Sequence, residues 1–377
     1  MIIRQAKVYG ADHHFHTGDI RIEGERIAGT AEMIAAEEKE EVVLAEGLYA
    51  LPGLVDIHEH GALGHDYCDA TRDAYDTITE YEAKNGVLAV CATTMTLPEE
   101  TLLAVADCVA DYTNDKGADI VGINLEGPFV SPERLGAQNP AYALDPDVEL
   151  VRRINKRAKG AVRLLDLAPE LAGAITCIEE LKNEMVLSVA HTSSTYSVAA
   201  EAFAAGATHL THTYNAMPSL HHREPGPIMA AAEAKAFAEL ICDGIHIHPA
   251  MVRLAFQLFG DRLVMVSDSM RACGLEDGLY DLGGQQVRVN GRRAELVRDA
   301  DTIAGSVTNL FACMKTAVQE MGIPLETAVR AASENPAVSI GIDKDYGQIA
   351  TGRYGSIILC DEQLVIQKVI KKGTILA

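Results

Sequence analysis

The sequence predicts an α/β protein: a (β/α)8 barrel of the TIM type with a small discontinuous β-sandwich domain assembled from both chain ends. Three observations predict this. Eight short apolar runs of strand type alternate with Ala-, Glu- and Leu-rich helical stretches between residues 54 and 266. Alternating strand patterns without intervening helices occupy both ends of the chain. Residue types that bind metals recur at the C-terminal ends of the apolar runs, where a barrel places its chemistry. The expected division is residues 1–51 with 347–377 for the small β domain and 52–346 for the barrel.

Bulk properties narrow the class. The 377 residues are 48% hydrophobic and 23% charged, enough for a large core and unlike a disordered or fibrous chain. No run of about 18 apolar residues is present, so no transmembrane helix is expected. The N-terminus, Met1-Ile2-Ile3-Arg4, reads as a strand and lacks the apolar stretch and cleavage site of a signal peptide. Eight cysteines without a Cys-x-x-Cys pair read as reduced structural thiols, which points to the cytoplasm. A net charge of −22 disfavours nucleic acid and anionic membranes as partners and requires a local basic pocket for any anionic substrate.

The elements follow in order. Residues 1–50 alternate strands with turns, Glu23-Gly24 marking a hairpin. Pro52-Gly53 breaks the chain, and the run at 54–57 opens the barrel. Further strands are expected at 87–90, 120–125, 162–167, 186–189, 209–210, 239–242 and 262–266. An open doubly wound sheet is the alternative, but no strand is followed by a Gly-x-Gly-x-x-Gly fingerprint. A strand-rich insertion spans Tyr280 to Val297, with hairpin turns at Gly283-Gly284 and Asn290-Gly291. Helices are expected at Ser306–Met321 and Leu325–Ser333, and strands return through Ser356–Cys360 and Val365–Ile370.

The strand ends carry the chemistry. In Leu54-Val55-Asp56-Ile57-His58-Glu59-His60, the two histidines stand at i and i+2, on one side of a strand. The other ends offer Glu126, His191, His212, Asp243 and Asp268. One such histidine is more often a core residue; six ends together point to a metal site. A His/carboxylate set without cysteine suits Zn, Fe, Mn or Co, and such an ion equips a protein to hydrolyse amides or esters. Asp268 is suited to take a proton from water and pass it to the leaving group.

The run Pro52-Gly53-x-x-Asp56-x-His58-x-His60-Gly61, with His191, His212 and Asp268, resembles the amidohydrolase superfamily. Within it, Leu125-Glu126-Gly127-Pro128-Phe129, His212-Thr213-Tyr214-Asn215-Ala216, Asp243-Gly244-Ile245-His246 and Ser267-Asp268-Ser269 resemble the N-acetylglucosamine-6-phosphate deacetylase family. The resemblance implies hydrolysis of the acetamide of N-acetylglucosamine 6-phosphate to glucosamine 6-phosphate and acetate. The alternatives are the galactosamine epimer or a related amide. It also implies a divalent metal, Zn or Fe foremost, one or two per subunit, with Glu126, His191 and His212 as principal ligands and His58 and His60 as a second pair. Asp268 would be the acid/base. Asn215, Ala216, Arg223 and His246 would bind the sugar phosphate, joined by Ala304, Gly305 and Ser306. His246 would reach a neighbouring subunit in a homodimer. Gln138 stands where many members place a histidine that hydrogen-bonds the substrate carbonyl; its amide donates but never becomes cationic.

The remaining histidines have plainer readings. His13, His14 and His16 lie in a solvated turn, and His209 faces the core. His65 is a rim residue or a solvated loop residue, His248 starts a helix or backs the site, and His221 and His222 flank Arg223 near the expected phosphate pocket.

Overall fold

The computed structural model describes residues 1–37 and 40–376. Eight parallel strands form the barrel wall in sequence order: Leu54–Glu59, Val87–Thr93, Asp119–Glu126, Val162–Leu167, Val186–Val189, His209–Leu210, Phe237–Ile241 and Leu263–Val266. Each is followed by at least one helix, the first after a short two-stranded pair and the last after a β insertion. The apolar runs are buried on both faces, as a sheet with side chains inside and helices outside requires. Inward residues such as Val55, Ile57, Ala89, Leu164, Ile241 and Val266 form one cluster. Outward residues such as Leu54, Val90, Leu125, Leu187 and Leu240 pack with the helices in another.

The eighth and first strands close the barrel through the segments just beyond the regular ladder. Asp268 N–H donates to the His58 carbonyl at 2.9 Å, and His60 N–H donates to the Ser269 carbonyl at 2.8 Å. The Ser267 N–H reaches the buried Asp56 carboxylate at 3.2 Å. These bonds set Asp268 beside the histidines of the first strand.

Two glycines of the opening motif are sterically required. A Cβ at Gly53 would stand 2.7 Å from Leu88 Cδ1, and one at Gly61 would stand 2.1 Å from the His65 carbonyl oxygen.

The chain ends meet as expected. Five N-terminal strands and three C-terminal strands join in one eight-stranded sheet, with Tyr49–Pro52 paired antiparallel to Ile357–Cys360. A bulge between Ile3 and Ala6 shifts the register, so that Ile3, Ala6 and Val8 all enter a core with Ile20, Ile357 and Ile370.

Two differences from the sequence reading are local. The insertion has four strands, Gly278–Leu282, Gln285–Asn290, Arg293–Leu296 and Asp299–Ile303, so it runs one hairpin beyond Val297. The last strand is exposed along its first three residues and carried no apolar alternation to read. The following helix spans Leu310–Gln319 rather than starting at Ser306, because Asn309 caps it by accepting from Ala312 N–H at 2.9 Å. Ser306 instead lies in extended chain, its N–H donating to the Asp268 carbonyl at 2.7 Å.

Candidate active site

Six side chains from five strand ends converge at the barrel mouth. His58 and His60 come from the first strand, Glu126 from the third, His191 and His212 from the turns after the fifth and sixth, and Asp268 from the turn after the eighth. All six are buried. All of them but His58, which lies beneath, form the floor of a cavity of about 430 Å³ whose wall includes Gln138, Asn215, Ala216, His246 and Gly305.

The backbone divides this set. His58 and Glu126 sit at strand ends and His60 just beyond one, none of them left-handed. His191, His212 and Asp268 have left-handed φ values of 41°, 26° and 50°, which for residues with a Cβ cost about 1–2 kcal/mol each. The left-handed residue turns the chain sharply at the strand end.

The distances describe two overlapping triads, His58–His60–Glu126 and Glu126–His191–His212. In the second, Glu126 Oε1 lies 3.0 Å from His191 Nε2 and 3.1 Å from His212 Nε2, and the two nitrogens are 3.1 Å apart. In the first, Glu126 Oε1 lies 3.4 Å from His58 Nε2, and Oε2 lies 3.4 Å from His60 Nε2. Neighbouring ligand atoms around a cation with bonds of ~2.1 Å stand about 3.0–3.4 Å apart, so the second triad has the right edge lengths, while the first has its ligand atoms within 4.8 Å of one another.

Hydrogen bonding decides what these nitrogens offer. His191 Nδ1 donates to the Arg134 carbonyl at 2.9 Å, and His58 Nδ1 donates to Glu239 Oε2 at 2.9 Å. With the proton on Nδ1, a neutral ring aims its Nε2 lone pair at Glu126; burial works against a second proton on His58, but Glu239 and Glu126 raise its pKa well above the usual value, so an ion would displace that proton. The buried His58 Nε2 has no hydrogen-bond partner among the described residues. Lone pairs facing a carboxylate call for a cation among them, so the donor set fits a divalent ion. Burial opposes charge on Glu126, but His58 nearby and hydrogen bonds with His191 and His212 hold its carboxyl well below the usual range. Burial likewise opposes ionisation of Asp268, and the bond to His60 with the field of His58 outweighs it. Asp268 Oδ1 lies 3.3 Å from His60 Nε2.

The other sequence-predicted residues separate. Gln138 is buried against the triads, its Nε2 donating to Glu126 Oε2 at 2.5 Å and its Oε1 accepting from Thr96 N–H at 2.7 Å. His246 lines the cavity of its own chain, with Nδ1 2.7 Å from Asp243 Oδ2. Ala304 and Ser306 are buried behind the wall, where Ser306 Oγ donates to the Ser267 carbonyl at 2.7 Å. Arg223 is exposed outside the cavity lining, its Nη1 donating to His222 Nε2 at 2.8 Å.

The plainer histidines fall as follows. His209 is fully buried and stacks on Phe237. His248 caps the helix Pro249–Phe259. His65 lies in a two-residue strand paired with Gly61–Ala62. His13 pairs with Glu334 at 2.6 Å and His16 with Asp12 at 2.7 Å, and His14 is exposed.

Sequence reasoning missed Arg134, which lines the cavity and anchors His191, and Glu239, which anchors His58. A glutamate inside an apolar barrel strand is the signal that could have pointed to Glu239.

Residues 49–376 match the amidohydrolase family, and the chain belongs to it. It is a hydrolytic enzyme of the class that places a His/carboxylate centre at the mouth of a TIM-like barrel. The N-acetylglucosamine-6-phosphate deacetylase of Bacillus subtilis (strain 168) is 37% identical over 333 residues, covering 86% of this chain and 84% of the relative. The N-acetylgalactosamine-6-phosphate deacetylase of Escherichia coli O157:H7 is 33% identical over 327 residues, covering 85% and 86%. Among solved structures, a point mutant of N-acetyl-D-glucosamine-6-phosphate deacetylase from Mycobacterium smegmatis, in complex with N-acetyl-D-glucosamine-6-phosphate, aligns with a TM-score of 0.93. It is 32% identical and covers 100% of this chain and 99% of that one.

Proposed function

We propose that this enzyme hydrolyses the acetamide of N-acetylglucosamine 6-phosphate, giving glucosamine 6-phosphate and acetate in amino-sugar catabolism. The observation that carries this reading is the convergence of Glu126, His191 and His212 on one point of the cavity floor, with Asp268 beside them. The deacetylases among its relatives support the substrate class.

Glu126, His191 and His212 would hold the principal divalent ion, Zn or Fe, and His58 and His60 with Glu126 a second. Such an ion supplies Lewis-acid polarisation of a carbonyl and activates water near neutral pH. The chain's own residues do the rest. Asp268, ionised under the influence of His60 and His58, accepts a proton from the attacking water and delivers it to the departing amine nitrogen. Gln138 orients Glu126 through its amide N–H, so its donor is engaged before substrate arrives. Asn215, Ala216, Gly305 and His246 border the space available to the sugar. Arg223 serves the phosphate in this reading only if the exposed loop bearing it folds toward the cavity or reaches a second subunit, which suits a homodimer. Eight free cysteines support a reducing cytoplasmic location.

Acetate release from N-acetylglucosamine 6-phosphate, its galacto epimer and both unphosphorylated sugars tests the proposal. Turnover of the gluco phosphate at least tenfold above the other three is expected. The galacto epimer as the better substrate would move the assignment to the second type of relative, and equal rates on phosphorylated and plain sugars would overturn the phosphate requirement.

A further inference from the structure

We propose that Glu239 is a positioning residue for both halves of the metal set, and that through the His58 ring it raises affinity for the ion held by His58, His60 and Glu126. The inference rests on the metal reading above. Glu239 lies within the seventh barrel strand, fully buried, and uses one carboxylate oxygen twice. Oε2 accepts from His58 Nδ1 at 2.9 Å and from the His212 backbone N–H at 3.2 Å. Its own carbonyl accepts from Thr213 N–H at 2.8 Å. One residue therefore ties the first strand to the turn after the sixth, and one half of the ligand set to the other.

The four histidines differ in what holds the nitrogen facing away from Glu126. His191 is held by a neutral carbonyl, and His60 Nδ1 and His212 Nδ1 have no partner among the described residues. Only His58 is backed by a carboxylate. A carboxylate behind an imidazole fixes the tautomer and makes the far nitrogen a better donor to a cation. A buried carboxylate is costly without compensating charge, and among the described residues Oε1 has no hydrogen bond and lies 3.8 Å from His209 Nδ1. An ion across the His58 ring would supply the missing compensation. The bond to His212 N–H adds a second function: it holds a residue whose φ is 26°.

Glu239→Gln keeps the volume and an acceptor and removes the charge. Glu239→Leu removes both. Metal content by elemental analysis, and dissociation constants by competition with a chromophoric Zn²⁺ chelator, are measured for wild type and variants together with thermal unfolding. For Glu239→Gln, the weaker of two Zn²⁺ constants should loosen about 10- to 100-fold while the tighter one stays within about threefold. For Glu239→Leu both should loosen. Adding Glu239→Gln to His58→Ala should then leave the remaining ion unaffected, because the charge acts through His58. A folded Glu239→Gln protein with both constants unchanged overturns the inference while leaving the metal reading intact. Wild-type protein that binds no Zn²⁺ overturns the metal reading itself. Should Glu239→Leu fail to fold, Glu239→Gln alone decides.

Discussion

The two histidine pairs of the centre are built in opposite ways. His58 and His60 stand at and just beyond the end of the first strand, outside the left-handed region, where the pairing with the second strand shifts register between Asp56 and Glu59, and His58 is backed by a carboxylate. His191 and His212 stand on left-handed turns beyond their strands, His191 held by the Arg134 carbonyl and His212 through its N–H by the Glu239 carboxylate. The strand-borne pair is fixed by Glu239 behind His58 and by the backbone bonds to Asp268 and Ser269 that close the barrel. The turn-borne pair is strained and needs its loops in place. Glu126 belongs to both triads, so among the ligands it is the one that makes them a single centre.

This comparison orders the expected effects. Glu126→Ala should be the most damaging substitution, emptying both half-sites and lowering kcat by about 10³-fold or more, measured as metal equivalents and acetate release. Asp268→Asn should retain the metal content of the wild type and lose about 10²- to 10⁴-fold in kcat. An active Asp268→Asn enzyme with an unchanged pH profile would remove Asp268 from the mechanism. Smaller effects are expected from His58→Ala combined with His60→Ala, which should remove one equivalent of metal and keep the other. If the protein instead loses all metal, the halves are not independent.

The smallest effect separates a scaffold histidine from those of the site. Burial depresses the pKa of His209 from 6.5 to about 4, with Glu239 opposing weakly. The unfolded chain therefore binds the extra proton first as pH falls. The stability this group contributes is complete above pH 6.5 and is lost as pH drops toward 4, by about 3 kcal/mol. His209→Leu should gain on the wild type across that window in urea titrations, with the difference growing from pH 6.5 to pH 4.5 and flat above pH 7.

The barrel was legible because its strands are apolar on both faces and recur with helical stretches between them. The six converging residues were legible because strand ends are where such a fold gathers polar groups. Other features depend on contacts between distant parts of the chain. Glu239 and His58 are far apart in sequence, and only closure of the barrel brings them to 2.9 Å. The engagement of Gln138 by Glu126 and Thr96 required knowing how the loop after the third strand folds back. Arg223 suited a phosphate by its chemistry, yet its loop leaves it exposed. Periodicity also said nothing of the left-handed turns at His191, His212 and Asp268, since their backbone angles answer to the site and not to local preference.

The central claim is that Glu126, His191 and His212 hold the ion the reaction requires, while His58 and His60 hold a separable second one. Metal equivalents and acetate release, read on the same preparations of wild type, His191→Ala and the His58→Ala, His60→Ala double variant, test it most directly. The account predicts that His191→Ala is inactive and that the double variant keeps one equivalent with measurable turnover. The reverse pattern, an active His191→Ala enzyme beside an inactive double variant, would contradict it.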